Sequence, residues 1–100
     1  LIDAARPRQP NFVEYDLDQI IQHCVALLSG QAHAKNIRLH YSPKPHTVAE
    51  LDVDQMTQVL MNLLMNAIQI LPQGDTERGN IEVKLKNDSQ EVSLEIADDG

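Results

Sequence analysis

Two stretches of the chain place hydrophobic residues at helical spacing. The first predicts a helix from residue 17 to about Ala34, because its apolar positions fall on one face and its polar positions elsewhere. That apolar face consists of Leu17, Ile20, Ile21, Cys24, Leu27 and Leu28, while Asp18, Gln22, His23 and Gln31 lie off it. The second predicts a helix from residue 52 to about Leu71, ahead of Pro72.

Both predicted helices are preceded by the same local signal. Asp16 is followed three residues later by Gln19, and Asp52 is followed by Gln55. An acceptor at the N-cap with Gln or Glu three residues on is the capping-box arrangement, so the helices should begin at these two aspartates.

Alternating apolar and polar residues predict the strands. The segments "IRLHYS" (37–42), "IEVKLK" (81–86) and "VSLEIA" (92–97) alternate with period two, and the last two flank "NDSQ" as an antiparallel hairpin. "FVEY" (12–15) could be an edge strand, and "HTVAEL" (46–51) adds a short strand. The hairpin should point six residues inward: Ile81, Val83, Leu85, Val92, Leu94 and Ile96.

This order of elements predicts an α/β (α+β) two-layer sandwich. A mixed, largely antiparallel sheet should carry two helices on one face and leave the other face wet. Residues 1–11 contain two prolines and no sustained periodicity, which predicts a linker or the end of an upstream helix. The chain starts without methionine and stops at Gly100, so we expect it to have been cut from a longer protein.

Composition narrows the classes of partner. With 100 residues, 42% hydrophobic and 23% charged, the chain suits one soluble globular domain. Its net charge of −7 argues against a nucleic-acid or anionic-membrane surface. A single cysteine, Cys24, permits no intrachain disulfide. No apolar stretch approaches the roughly 20 residues needed to cross a bilayer.

The second helix carries amides along one face. They are Gln55, Gln58, Asn62, Asn66 and Gln69. A solvated polar face accounts for the glutamines, since any surface helix has one. It accounts less well for Asn62 and Asn66, because mid-helix Asn costs stability that Gln would not. An amide oxygen is a good ligand for Mg²⁺, which takes few protein ligands beside substrate phosphates.

The end of the chain, "IADDG", places Asp98 and Asp99 where a strand runs out. Asp and Gly are common turn formers, so a simple turn is one interpretation. The alternative is that Asp98 accepts a hydrogen bond from a ligand amino group while Gly100 lets the backbone come close.

Taken together, "DQMTQVLMNLLMNAIQ", a glycine-containing loop, the hairpin and "DDG" resemble the ATP-binding catalytic domain of bacterial sensor histidine kinases. These domains share a superfamily with gyrase, the Hsp90 chaperones and MutL. The resemblance covers residues 12–100 and implies the N-terminal portion of the domain, ending before the lid over the nucleotide. Residues 1–11 would then be the linker from an upstream dimerisation helix.

The resemblance also implies a nucleotide site. Asn66 matches the Mg²⁺-coordinating asparagine and Asn62 its partner facing the phosphates. Gln69 would contact the nucleotide where many of these kinases carry Lys or Arg, and Ile70 stands where many carry an aromatic residue. Asp98 matches the aspartate that binds the adenine amino group, and Gly100 the first glycine of the following motif. Leu63, Leu64 and Ala67 would face the sheet.

The implied function is the Mg-ATP-binding part of a two-component kinase. Its parent would phosphorylate a histidine and pass the phosphoryl group to a response regulator, acting as a homodimer through a histidine-bearing dimerisation domain. The domain would be cytoplasmic, the parent anchored in the bacterial inner membrane, and the 100 residues alone inactive. His23, His33, His40 and His46 lack the phosphoacceptor context, so we interpret them as surface or half-buried histidines and expect the phosphoacceptor upstream. His23 and Cys24 should not form a metal pair, because neighbours on a helix point about 100° apart.

Two alternatives stay open. A non-catalytic interaction module could have kept the fold and lost nucleotide binding. An ATPase or serine kinase of the same superfamily is disfavoured, because Asn62 stands where the ATPases have a glutamate that activates water. An amide cannot act as a general base, which favours transfer to a protein over hydrolysis.

Overall fold

The elements follow the order β1, α1, β2, β3, α2, β4, β5. A computed structural model describes residues 9–70, 79–87 and 92–98, with side chains over 9–70 and 79–86. The strands are β1 (Val13–Asp16), β2 (Ile37–Tyr41), β3 (Val48–Leu51), β4 (Gly79–Asn87) and β5 (Val92–Asp98). The helices are α1 (Leu17–Ala34) and α2 (Val53–Ile70). The predicted α/β class is confirmed.

Both helices begin where the capping aspartates predict. Asp16 Oδ1 accepts the backbone N–H of Asp18 at 3.1 Å, and Asp52 Oδ1 accepts that of Gln55 at 3.1 Å. Each bond satisfies a donor that has no partner within the helix. The first helix ends at Ala34, and Asn36 then adopts φ of 59°, a left-handed conformation that asparagine tolerates and that turns the chain into β2.

The strands form two sheets rather than one. β1 pairs antiparallel with β3, while β2, β4 and β5 form a second sheet in the order β2-β4-β5. In that second sheet β2 runs parallel to β4, and β4 runs antiparallel to β5 with Ile81 opposite Asp98. The hairpin and the mixed, mainly antiparallel pairing are as predicted. The alternation of apolar and polar residues does not predict the division into two sheets. It indicates which side chains share a face of a strand, but not which strands pair.

The core is aliphatic and lies between the helices and the strands. It is built from Leu17, Ile20, Ile21, Cys24, Leu28, Ala32, Ile37, Leu51, Leu60, Leu64, Ile68, Ile81, Val83 and Leu85. The inward residues of β4 are therefore confirmed, and Glu82, Lys84 and Lys86 on its other face are exposed. The side chains of Val92, Leu94 and Ile96 lie outside the described residues.

The prediction that Leu27 and Leu63 lie in the core is wrong. Leu27 is 55% exposed and Leu63 is 46% exposed, whereas Leu64 is buried and Ala67 half-buried as predicted. At 100° per residue, Leu27 lies about 100° from the neighbouring Leu28, on its side away from the core, and Leu63 stands in the same relation to Leu64. Both sit at the edge of an apolar stripe that is wider than the surface available to cover it.

The sequence pattern also predicts the wrong environment for Asp18. It was expected on the polar side of α1, but it is fully buried. The segment between β2 and β3 folds over the first turn of the helix and closes this position. Asp18 accepts hydrogen bonds from the Tyr41 hydroxyl at 2.6 Å and the Lys44 backbone N–H at 2.7 Å. Paired in this way, a carboxylate tolerates burial.

Candidate functional site

Helix α2 is held in a defined rotation by its cap and its buried face. Beyond the Asp52 cap, the thiol of Cys24 in α1 lies 3.9 Å from the carbonyl oxygen of Thr57, where the two helices meet. Leu60, Leu64 and Ile68 fill the side that faces the core. Because a helix of this length is rigid, its opposite side is presented outward in a fixed direction.

That outward side carries the amides. All five are exposed: Gln55, Gln58, Asn62, Asn66 and Gln69. The side chains of Asn62 and Asn66 make no hydrogen bond with any residue in 9–70 or 79–86. The cost of two asparagines inside a helix is therefore not offset by bonds within this part of the chain. Their amides stand one turn apart and point to solvent.

Exposed apolar side chains flank the amide face. Val59 is 51% exposed, Leu63 46% and Ile70 76%, all on the side of the helix next to Asn66. Their spacing of four and seven residues was the available signal, but from the sequence only Leu63 is predicted to face the sheet, and Ile70 is noted only as standing where many sensor histidine kinases carry an aromatic residue. Apolar surface beside unbonded amides is suited to contact with a partner or a ligand.

The other predicted wall of the site is only partly described. Asp98 is the last residue of β5, and its backbone pairs with that of Ile81. Ile81 belongs to the same core cluster as Ile68, in the last turns of α2. The backbone of Asp98 therefore lies directly opposite Ile81, a residue of that core, in the neighbouring strand. Gly100 and Asp99 lie outside the described residues, as does the side chain of Asp98.

Asp18, which lies on α1, is the most deeply buried of the described carboxylates. Burial would raise the pKa of this carboxyl, but hydrogen bonds from Tyr41, the Lys44 backbone and Gln22 together lower it below its ordinary value. The pKa of Tyr41 is raised, by burial first and then by its bond to Asp18. Because Asp18 is fully buried and bonded to Tyr41, we assign this pair a structural role.

No protein-family model matches the chain. Sensor histidine kinase ZraS of Escherichia coli (strain K12) is 31% identical over 102 residues, which cover 100% of this chain and 21% of that protein. Sporulation kinase E of Bacillus subtilis (strain 168) is 31% identical over 100 residues, 96% of this chain and 13% of the kinase.

Solved structures agree with these relatives. The catalytic domain of histidine kinase ThkA superposes with a TM-score of 0.79 at 23% identity, over 90% of this chain and 60% of that one. The mycobacterial sensor histidine kinase MprB gives a TM-score of 0.73 at 20% identity, over 90% of this chain and 56% of that one. The chain is similar over its whole length to part of a sensor histidine kinase, and it has the fold of the histidine kinase catalytic domains. It spans about a fifth of the length of ZraS.

Three further features of the chain bear on its chemistry. All four histidines are exposed, which agrees with their interpretation as surface or half-buried residues. Among the described residues, no three His, Cys, Asp or Glu side chains gather to hold a metal ion. A search of the same residues finds no helix long and apolar enough to cross a membrane.

Proposed function

We propose that the exposed amide face of α2 binds the phosphates and metal of Mg-ATP. The observation that carries this is the pair Asn62 and Asn66, one turn apart, exposed and without hydrogen bonds inside the described chain. A solvated face alone would be served better by Gln, Glu or Lys, which favour helix formation. Two amides in this position are suited to ligand oxygens and to a hard cation.

The donor set fits Mg²⁺ rather than a metal that needs a closed protein cage. Mg²⁺ keeps several waters and binds through one or two protein oxygens together with substrate phosphates. Asn66 would supply such an oxygen, with Asn62 beside it facing the phosphates. When bound, the cation neutralises charge on the phosphates. Gln69, one turn further on, would donate a neutral amide hydrogen bond.

The remaining contacts belong to the strand end. Asp98 would accept a hydrogen bond from the adenine amino group, and Gly100 would let the backbone approach the nucleotide. Support for a nucleotide in this fold comes from full-length ShkA, whose structure is in complex with AMPPNP and superposes with a TM-score of 0.71 at 22% identity.

The whole protein would transfer the γ-phosphoryl group of ATP to a histidine and then to a response regulator. Such transfer depends on positioning and charge neutralisation more than on acid-base groups, which fits a site lined by amides. Histidine kinase ThkA, in complex with the response regulator protein TrrA, has a TM-score of 0.72 to this chain. The phosphoacceptor would lie on a dimerisation domain of a homodimer, with the catalytic domain in the cytoplasm of a kinase anchored in the inner membrane.

The decisive experiment compares Asn66→Ala with Gln58→Ala in the full-length kinase. Both remove an exposed amide from the same face of α2, but only Asn66 is assigned to the metal. Losing one bond to a charged group should weaken Mg²⁺-dependent ATP binding about tenfold or more. Gln58→Ala should bind normally, and binding with EDTA should be similar in all three proteins. Undiminished metal-dependent binding by Asn66→Ala would refute the assignment.

A further inference from the structure

The carboxylate of Asp52 joins two segments that are far apart in sequence. Its Oδ1 accepts the backbone N–H of Gln55 at 3.1 Å and caps α2. Its Oδ2 accepts the backbone N–H of Asn11 at 2.8 Å, across a separation of 41 residues. Asp52 is only 8% exposed, and both bonds are partly buried. One side chain therefore ties the segment entering β1 to the first turn of α2.

The other capping aspartate shows that this tie is not a necessary part of a cap. Asp16 also caps its helix, but its remaining bonds go to the backbone N–H groups of His46 and Thr47, at 3.1 and 3.2 Å. Those residues lie in the internal connection between β2 and β3. Of the two caps, as the described residues show them, the Asp52 cap is the one that reaches residues 9–12.

A second contact reinforces the link at the same place. Phe12 follows Asn11 and lines a shallow cavity of about 240 Å³ together with Gln55, Met56 and Val59 of α2. Phe12 is 58% exposed, so apolar packing there is partial and the polar bond to Asp52 supplies the directional constraint. Displacing residues 9–12 would thus pull on the N-terminus of α2.

The same helix carries the proposed nucleotide contacts. At 1.5 Å per residue, Asn62 and Asn66 lie about 15 and 21 Å along the axis from Asp52. A helix packed over most of its length moves as a unit, so a small tilt at its first turn redirects the amides near its other end. A displacement of residues 9–12 would therefore act through the Asp52 carboxylate on the direction of the Asn62 and Asn66 amides.

We propose that Asp52 is a positioning residue that couples the segment entering the domain at residues 9–12 to the amide face of α2. The proposal rests on the proposed function, since it assigns Asn62 and Asn66 to the nucleotide. The Oδ1 bond holds the helix end, and the Oδ2 bond sets where that end sits relative to the incoming chain. Nucleotide affinity in the kinase is therefore sensitive to a bond remote from the nucleotide.

Two conservative substitutions remove the Asn11 bond from opposite sides. Asp52→Asn keeps an oxygen for the α2 cap, and asparagine is itself a good N-cap, but it presents an NH₂ group toward Asn11. Asn11→Pro removes the N–H and leaves Asp52 untouched. Asn11→Ala is the matched control, because it changes the side chain and keeps the backbone donor.

The test measures Mg²⁺-dependent ATP affinity and thermal stability of the full-length kinase. Asp52→Asn and Asn11→Pro should each weaken ATP binding by about threefold to tenfold, the range of coupling through packed elements. Asn11→Ala should bind as the unsubstituted protein does. The double variant should be no worse than either single variant, because both remove the same bond.

Three outcomes would overturn the proposal. Normal ATP affinity in both single variants, with or without lower stability, would make Asp52 purely a cap. Additive losses in the double variant would show two unrelated effects. A defect in Asn11→Ala equal to that of Asn11→Pro would implicate the side chain instead. Failure of Asn66→Ala to affect metal-dependent binding is a separate result, which would refute the proposed function itself.

Discussion

Replacing Asp18 with asparagine tests the buried carboxylate that fastens the β2–β3 connection to α1. Its Oδ1 accepts from Tyr41 and the Lys44 backbone, and its Oδ2 accepts from the Gln22 amide at 2.6 Å. Hydrogen bonds to a charged group contribute about 1.5–3 kcal/mol each, and neutral ones about 0.5–1.5 kcal/mol. Asparagine keeps an oxygen for two of the three bonds, so we expect a loss of about 2 kcal/mol.

The alanine variant is expected to be worse. Asp18→Ala leaves the Tyr41 hydroxyl and the Lys44 N–H without their acceptor in a closed position. Each orphaned buried donor costs about 1–3 kcal/mol, so the total should be about 4 kcal/mol. The difference between the two variants separates the loss of charge from the loss of the acceptor.

The pH dependence carries a definite sign. The folded-state pKa of Asp18 lies below its ordinary value of about 3.9, so the unfolded chain binds the proton more readily. This contribution to stability is complete above that value and is lost as the pH falls through the lower folded-state pKa. Asp18→Asn has no such proton to bind and should lose less stability than the unsubstituted protein below about pH 4.

The assay is urea denaturation of the complete catalytic domain at pH 7 and at several values below pH 4. Tyr41→Phe provides the partner variant for a double-mutant cycle, because it removes one donor and leaves the carboxylate. A change of less than about 0.5 kcal/mol in Asp18→Asn at pH 7 would refute the reasoning. Identical acid dependence in the two proteins would refute the assigned direction of the pKa.

Two further predictions concern packing and surface charge. Leu64→Ala should lower the free energy of unfolding by about 2–5 kcal/mol, because it opens a cavity in the core. Leu63→Ala changes a half-exposed site and should lower it by less than about 1 kcal/mol. Equal losses in urea denaturation would contradict the difference in burial. Glu14 and Glu50 are directly opposed across β1 and β3, so Glu50→Lys should stabilise the domain by about 0.2–1 kcal/mol. The stabilisation should decrease in 1 M NaCl. No stabilisation at low salt would contradict the prediction.

Much of the local structure follows from short-range signals in the sequence. Asp16 and Asp52 mark both helix starts because a side-chain acceptor at an N-cap satisfies donors only two or three residues away. The hairpin of β4 and β5 follows from period-two alternation on both sides of a short polar turn. The amide face of α2 follows from helical geometry, since residues three and four apart share a side.

Burial at the edges of elements could not be predicted in this way. Leu27 and Leu63 satisfy the helical spacing as well as their buried neighbours do, and their exposure depends on how far the sheet and the other helix extend. Asp18 carries the opposite error, because a charged residue near a helix start is ordinarily solvated and only the folded β2–β3 connection encloses it.

The sequence by itself determined the elements, their caps and the candidate amides, because each depends on residues close together in the chain. Tertiary structure decided which strands pair, which carboxylate is buried and which segments a capping aspartate joins. The bond from Asn11 to Asp52 illustrates the difference. The other bond of the Asp52 carboxylate, which caps α2, joins residues only three positions apart. The bond to Asn11 forms only because folding brings atoms of residues 41 positions apart to within 2.8 Å.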